Sequence, residues 1–394
     1  MKPLLLFSLF SAAAALGAAE VKLPPPYHTP SASNAPKVVP QPDGIRLQVP
    51  QGFTVSQFAQ GFQKPRVLLA LQGGAILVSD SVAKGGVYVL EDKNKDGKAD
   101  GEKRALIEGL DRPYGMGLWK DYLYVAEPTS LKRYKLDVKA MKAGPGEELI
   151  KWPADFSKGH WTRSLTFDAR SQKLYVNVGS GSNVDPDTDE RRATVLECKP
   201  DGSDCKIYAT GLRNATGIHF RPGSSELWAT VQERDGLGDD LVPDFFTSVK
   251  RGGFYGWPWA YFGPNEEPRN AGKKPDMVSK AIVPDVSLGA HVSAMDWTFY
   301  TGRLFPEKYR GGAFIALRGS SNRTKRTGYS IVYQAFGKDG KPAGAPEDFL
   351  TGWMTSPDSR EVWGRPIGVV QTADGSLLVS DDAGNKIWRI SYSK

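Results

Sequence analysis

R-P-I-G-V-V (365–370), S-L-L-V-S-D-D (376–382) and K-I-W-R-I (386–390) close the chain with three short apolar runs separated by turn residues. The unit opens on a basic residue with a Pro or Gly turn and continues into an apolar strand. A second strand then ends in small or acidic residues. The same shape recurs upstream. K-P-R-V-L-L-A from Lys64 leads to A-I-L-V-S-D and G-V-Y-V-L-E, and R-P-Y-G-M-G-L from Arg112 leads to Y-L-Y-V-A-E. H-W-T-R-S-L-T-F from His160 leads to K-L-Y-V-N-V-G, Arg213 precedes E-L-W-A-T-V, and His291 precedes A-F-I-A-L-R. Helical periodicity is almost absent. Six such units, spaced by roughly 40–50 residues, predict an all-β, six-bladed β-propeller.

The residues that start each inner strand would cluster at one end of the central channel. Arg112, His160, Arg213, His291 and Arg365 then either converge on one pocket or each cap their own strand. The spacing widens between the fourth and fifth units, where Gly211–Gly263 carries G-L-R-N-A-T-G, E-R-D-G-L-G-D-D and G-F-Y-G-W-P-W-A-Y-F-G. A core strand does not need this density of Arg, Asn, Asp, Gly and Trp, so the segment reads as part of a site.

Lys2, the apolar run Leu4–Leu16 and small residues at Gly17 and Ala19 have the pattern of a secretory signal peptide over 1–19. No second long apolar stretch follows, so a periplasmic or secreted protein without stable membrane insertion is expected. Residues 20–44, rich in Pro and Ser, read as an extended linker or arm, and 45–394 as the propeller domain. The net charge of +7 is scattered among acids with no basic block, which gives no support to nucleic-acid binding. The only cysteines, Cys198 and Cys205, flank a Pro-Asp-Gly turn and are expected to pair across a hairpin. No C-x-x-C-H haem attachment motif is present.

Three constellations carry chemistry. His160, one of four histidines, can be a general base or a structural histidine held by a carbonyl. In E-D-K-N-K-D-G-K-A-D-G-E (91–102), Asp92, Asn94, Asp96 and Asp100 have calcium-loop spacing around Gly97, and a solvated acidic turn is the alternative. R-D-G-L-G-D-D (234–240) can hold a hard cation through main-chain oxygens or serve as an ordinary turn. Hydrolase elbows and dinucleotide fingerprints are missing.

Together, R-N-A-T-G, E-R-D-G-L-G-D-D, G-F-Y-G-W-P-W-A-Y-F-G, L-G-A-H, G-R-P-I-G-V and V-S-D-D-A-G-N-K-I-W-R-I resemble the pyrroloquinoline quinone (PQQ)-dependent sugar dehydrogenases, in the sorbosone dehydrogenase-like branch. The resemblance runs from about Gln51 to the C-terminus and implies a propeller holding PQQ and calcium at its mouth. It implies His160 as the base for a substrate hydroxyl and Arg213 beside the quinone oxygens. Asn214, Arg234, His291, Arg318, Arg365 and Asp381 would contact the cofactor. Asp235 and Gly236 would offer main-chain carbonyls to catalytic calcium. Where this branch reads H-G-S-W-N-R, the chain has R-G-S-S-N-R at 318–323, which keeps a basic residue and loses a large apolar face. PQQ carries three carboxylates, which suits a pocket ringed by arginines. The expected activity is oxidation of a sugar or sugar aldehyde, with electrons passed to an external quinone or cytochrome. The competing expectation is a non-catalytic propeller that binds a glycan or protein partner. A propeller lactonase needs a carboxylate-rich metal centre, and the blade entrances here are mostly basic.

Overall fold

In the computed structural model, which describes residues 21–393, the chain forms six four-stranded antiparallel sheets. Blade 1 comprises Pro65–Ala70, Ile76–Asp80, Gly85–Leu90 and Arg104–Leu110. Blade 2 comprises Met116–Trp119, Tyr122–Glu127, Ser130–Asp137 and Lys142–Lys151, and blade 3 Leu165–Asp168, Lys173–Val178, Thr194–Cys198 and Lys206–Thr210. Blade 4 comprises Ala215–Phe220, Leu227–Val231, Pro243–Val249 and Val286–Ala290, and blade 5 Ala294–Phe299, Ala313–Leu317, Ser330–Phe336 and Pro342–Leu350. Blade 6 takes Pro366–Gln371, Leu377–Asp381 and Lys386–Tyr392, and borrows Phe53–Gln60 as its outermost strand. The innermost strand of each blade lies against that of the next, around to blade 6 against blade 1. The chain's two ends thus close a six-bladed propeller, which leaves no free sheet edge at the seam.

Burial explains the sequence pattern. Middle strands such as Ile76–Asp80, Leu227–Val231 and Leu377–Asp381 are buried along their whole length, because neighbouring blades cover both faces. The outermost strand Lys142–Lys151 is mostly exposed and correspondingly polar. Aromatics fill the seams: Trp228, Phe246, Trp297 and Phe299 pack edge to face between blades 4 and 5.

In blades 1, 2 and 6 the second strand ends in an acid with a defined task. Asp80 accepts the main-chain N–H of Lys64 (2.6 Å), Glu127 that of Asp111 (2.6 Å) and Asp381 that of Arg365 (2.7 Å). The closing acid therefore tethers the start of its own blade's inner strand and fixes where the entrance residue stands.

Cys198 and Cys205 are disulfide-bonded across the hairpin of blade 3. The 1–19 signal-peptide assignment lies outside the described residues. Residues 21–44, read as an extended linker or arm, lie on the body of the propeller. The arm crosses the loops of the propeller face, and Lys37–Val38 pairs in parallel with Glu361–Val362. In the Asp92 loop, the Asp92 carboxylate accepts the N–H groups of Asp96 and Gly97, and Asp100 accepts that of Lys93. The loop's acids are thus committed to turn hydrogen bonds, and no group of three His, Cys, Asp or Glu side chains among the described residues is arranged to hold a metal.

Candidate active site

The loops at one end of the ring enclose a cavity of about 180 Å³. Its wall includes His160 from blade 3, Arg213 and Asp235 from blade 4, His291 and Arg318 from blade 5, and Arg365 from blade 6. Residues 205 positions apart in sequence thus share one pocket, because blades 3 to 6 deliver their entrance residues to the same mouth.

His160 is held at Nδ1, which lies 3.0 Å from the Ser180 carbonyl and 2.8 Å from Ser180 Oγ. A carbonyl only accepts, so Nδ1 carries the proton and Nε2 keeps a lone pair. Ser180 Oγ donates to the Ser182 carbonyl, which leaves it free to accept from the imidazole. Nε2 has no protein partner. Burial, reinforced by the nearby Arg213 guanidinium, lowers the His160 pKa to about 3. Arg163, buried completely, donates to the His160 carbonyl at 2.8 Å and anchors this turn.

Arg213 is buried without a carboxylate in direct contact. It donates to the carbonyls of Asn183, Gln232 and Glu233 and to Asn183 Oδ1 at 2.7–3.2 Å. Burial lowers its pKa, offset in part by Asp235 and Glu233. A buried cation whose direct partners are all neutral acceptors favours an anion beside it. Next to it, Gln232 Nε2 donates to the Ala294 carbonyl (2.9 Å), so its Oε1 must accept from Asn214 Nδ2 (2.9 Å). That relay fixes the Asn214 amide and leaves its Oδ1 buried and unpartnered.

Below the cavity, Arg66 and Arg318 both pair with Asp382, at 2.8 and 3.0 Å. Arg365 contributes a third guanidinium, whose pKa burial and Arg318 push down to about 10. Burial acts to raise the Asp382 pKa, but the three arginines hold it below the usual carboxylate range. Three guanidinium groups therefore share one carboxylate, and Arg66 Nε remains without an acceptor.

On the opposite wall, His291 Nδ1 lies 2.9 Å from Asp235 Oδ1, and Nε2 lies 2.9 Å from the Gly238 carbonyl. Both acceptors demand a donor, so this imidazole is cationic. Burial works against that charge, yet the carboxylate and the carbonyl raise its pKa overall. Two cavity acids are also shifted upward, in their case by burial, Glu233 to about 8 and Asp244 to about 6. The two pocket histidines consequently differ in charge. In the cofactor-free protein, NMR titration of the imidazoles is expected to find His160 neutral down to about pH 4 and His291 protonated above its ordinary value of about 6.5. A His160 titrating near 6.5 would contradict this arrangement.

Several expected site residues stand elsewhere. Arg112 pairs with Asp111 and lies over the Trp161 ring, away from the cavity. Asp381 does not line the pocket: it is fully buried and accepts from the main chain of Arg365 and Gly384 and from the indoles of Trp353 and Trp388. Arg234 does not line the cavity: it is buried and paired with the equally buried Glu267, at 3.2 Å. Asp235 offers its carboxylate to His291 rather than standing free, and its carbonyl accepts from Asn183 Nδ2 at 2.9 Å. Arg66, Asp382, Asn183 and Gln232 escaped the sequence reading. Asn183 ends the polar run G-S-G-S-N, and that loop composition directly after a buried strand was the available signal. Trp257 of the aromatic segment donates its indole N–H to the Asn183 carbonyl (3.0 Å), so the segment braces the pocket from its flank.

The TrAA12-like family model matches residues 47–242 and 267–393, leaving the third strand of blade 4 and the Trp-Pro-Trp hairpin unmatched. A protein of Borreliella burgdorferi described as uncharacterized is 30% identical over 363 residues, covering 88% of this chain and 91% of that protein. Among solved structures, the iodide structure of the Trichoderma reesei carbohydrate-active enzyme of family AA12 superposes with a TM-score of 0.75 at 21% identity, covering 91% of this chain and all of the other. The holo form of the pyranose dehydrogenase PQQ domain from Coprinopsis cinerea gives 0.74 at 21% identity over 89% of this chain and 98% of that one. The PQQ-bound aldose sugar dehydrogenase of Streptomyces coelicolor gives 0.60 at 18% identity over 88% of this chain and all of that one. At these identities the structural likeness is one of fold.

Proposed function

Since this chain belongs to the TrAA12-like family, we propose that it is an exported dehydrogenase using PQQ and calcium to oxidise a sugar or sugar aldehyde, sorbosone and the aldoses being the first candidates. The observation that carries this reading is the pairing of a neutral His160, bare at Nε2 among the described residues, with a cavity to whose wall Arg213, Arg318 and Arg365 contribute beside the acids Glu233, Asp235 and Asp244. The pyranose dehydrogenase domain and the aldose sugar dehydrogenase that share the fold are holo and PQQ-bound structures, which supports the choice of cofactor.

The residues fit a rigid tricarboxylate. Arg213, Arg318 and Arg365 offer cationic donors, and Asp382 alone balances the two arginines paired to it, whereas the orphaned Asn214 Oδ1 is an acceptor that suits a hydroxyl, an N–H or a cation rather than a carboxylate. For calcium the donors are oxygens of the 235–238 turn. The Asp235 and Gly238 carbonyls already accept from Asn183 and His291, which leaves the Gly236 carbonyl as the free main-chain ligand. When bound, the quinone supplies the hydride acceptor, and calcium is a Lewis acid that polarises it.

The protein's own part is positional and acid–base. His160 Nε2 accepts the proton of the substrate hydroxyl, and Ser180 keeps the required tautomer in place. Because burial disfavours the imidazolium, the proton is readily passed on once the product leaves. Arg213, fixed by four acceptors, stands where negative charge develops at no cost in reorganisation. Without a haem-attachment motif, electrons leave to an external acceptor, a quinone or a cytochrome.

The test is reconstitution with PQQ and calcium, followed by dye reduction across aldoses, sorbosone and simple alcohols. Micromolar PQQ binding with turnover of at least one sugar is the expected outcome. No binding at that level would remove the reading. Binding without turnover on any of them would favour a propeller that retains the cofactor site and serves as a binding module.

A further inference from the structure

Residues 21–44 carry no hydropathic period, yet they follow a defined path over the loops that build the cavity. The Tyr27 N–H donates to the Leu237 carbonyl (2.8 Å), and the Asp239 N–H donates to Thr29 Oγ1 (2.7 Å). The approach is close enough that a Cβ at Gly238 would meet Thr29 at 2.8 Å, and Gly238 itself has φ 109°. Further on, the Asn34 N–H donates to the Ser321 carbonyl (2.7 Å), and Asn34 Nδ2 donates to the Thr324 carbonyl (2.9 Å). The buried Arg326 donates in return to the Asn34 carbonyl (2.7 Å) and Oδ1 (2.8 Å). The two loops are also tied to each other, since Arg323 Nε and the Thr324 N–H reach the Asp239 carbonyl and carboxylate at 3.0 and 2.9 Å.

Both loops belong to the pocket. One carries Asp235, Gly236 and the Gly238 carbonyl that holds His291, and the other carries Arg318, Ser321 and Asn322 of the wall. Leu237 is the one buried apolar side chain of the 235–240 loop and the 318–326 loop has none, and loops with so few such contacts open at little cost in free energy. Here Thr29 and Asn34 satisfy loop main-chain groups that would otherwise be left to water.

We propose that Thr29 and Asn34 are positioning residues of this site, which hold the 235–240 and 318–326 loops in the arrangement that receives the cofactor. The part of this that concerns the cofactor rests on the function proposed above. Holding the loops does not depend on it. By linkage, whatever binds between the ordered loops also tightens the arm.

The test uses the full chain carrying Thr29→Val, Asn34→Ala or Lys37→Ala. Lys37 pairs with Glu361 on the far part of the arm, and such an exposed ion pair contributes little, so its variant is the control. Hydrogen exchange in 235–240 and 318–326 is expected to accelerate about tenfold in the first two variants, with the blade strands unchanged. PQQ affinity should fall by about the same factor, and Lys37→Ala should match the parent. Unchanged loop exchange would overturn the proposal, as would loosened loops with undiminished PQQ affinity. A parent protein that fails to bind PQQ would count against the cofactor alone, and the exchange data would still decide the role of the arm. General loosening of the blades in Asn34→Ala would mark that variant as misfolded and leave Thr29→Val to decide.

Discussion

His160→Ala is expected to lower kcat with the reconstituted protein by about a hundred- to ten-thousand-fold while leaving PQQ affinity within about twofold of the parent. The size follows from what the side chain offers: one unprotonated Nε2 in a cavity whose other nitrogen groups are cationic or fully donated. The retention of cofactor follows from what it does not offer. A neutral imidazole facing a trianion contributes little next to Arg213, Arg318 and Arg365. The same residue should mark the acid side of the stability curve. Its pKa is about 3 when folded and about 6.5 when unfolded, so between those values the unfolded chain binds the extra proton. Stability due to His160 is therefore complete above about pH 6.5 and is lost as pH falls toward 3, and His160→Ala should flatten that limb. Loss of PQQ binding together with activity would show that the residue holds the cofactor and would remove it as the base.

The blades were legible because their signals are local. Buried middle strands such as Ile76–Asp80 need apolar runs of strand length, and the turn residues between them are written in the chain. The convergence of His160, Arg213, His291 and Arg365 was legible for the same reason, since a propeller sends equivalent positions to one mouth. Three features were not. Arg112 opens blade 2 in the pattern shared by the others, but its φ of 46° and the Trp161 ring turn the guanidinium aside. The arm docks largely through main-chain groups and polar side chains such as Thr29 and Asn34, which leave no trace in hydropathy. Asp381 and Asp382 are adjacent and chemically identical, and composition cannot say which carboxylate faces the channel. The aromatic segment sits between these cases. Its bulk announced burial correctly, whereas its contact with the site runs through a single indole N–H to Asn183.

The difference between those two carboxylates supports the second large effect. Asp381→Ala is expected to destabilise the fold by about 3–5 kcal/mol, read as a lowered urea midpoint. Asp381 Oδ1 accepts the N–H groups of Arg365 (2.7 Å) and Gly384 (2.7 Å), and Oδ2 accepts the indoles of Trp353 (2.9 Å) and Trp388 (3.2 Å). Alanine would strand these four donors and the Ala383 N–H (3.2 Å to Oδ1) in a fully buried place, where an unmet donor costs about 1–3 kcal/mol, with relaxation and water recovering part of the sum. The strand it ends pairs with Lys386–Tyr392, which in turn holds Phe53–Gln60, so the loss falls on the seam where the chain's two ends close the ring. Asp382→Asn should behave differently. It preserves shape but removes the charge that Arg66 and Arg318 share, so the pocket becomes more cationic. With one carboxylate fewer to compete, an anionic ligand should bind at least as tightly even as the empty protein loses stability. A midpoint unmoved by Asp381→Ala would undo the assignment made from its hydrogen bonds.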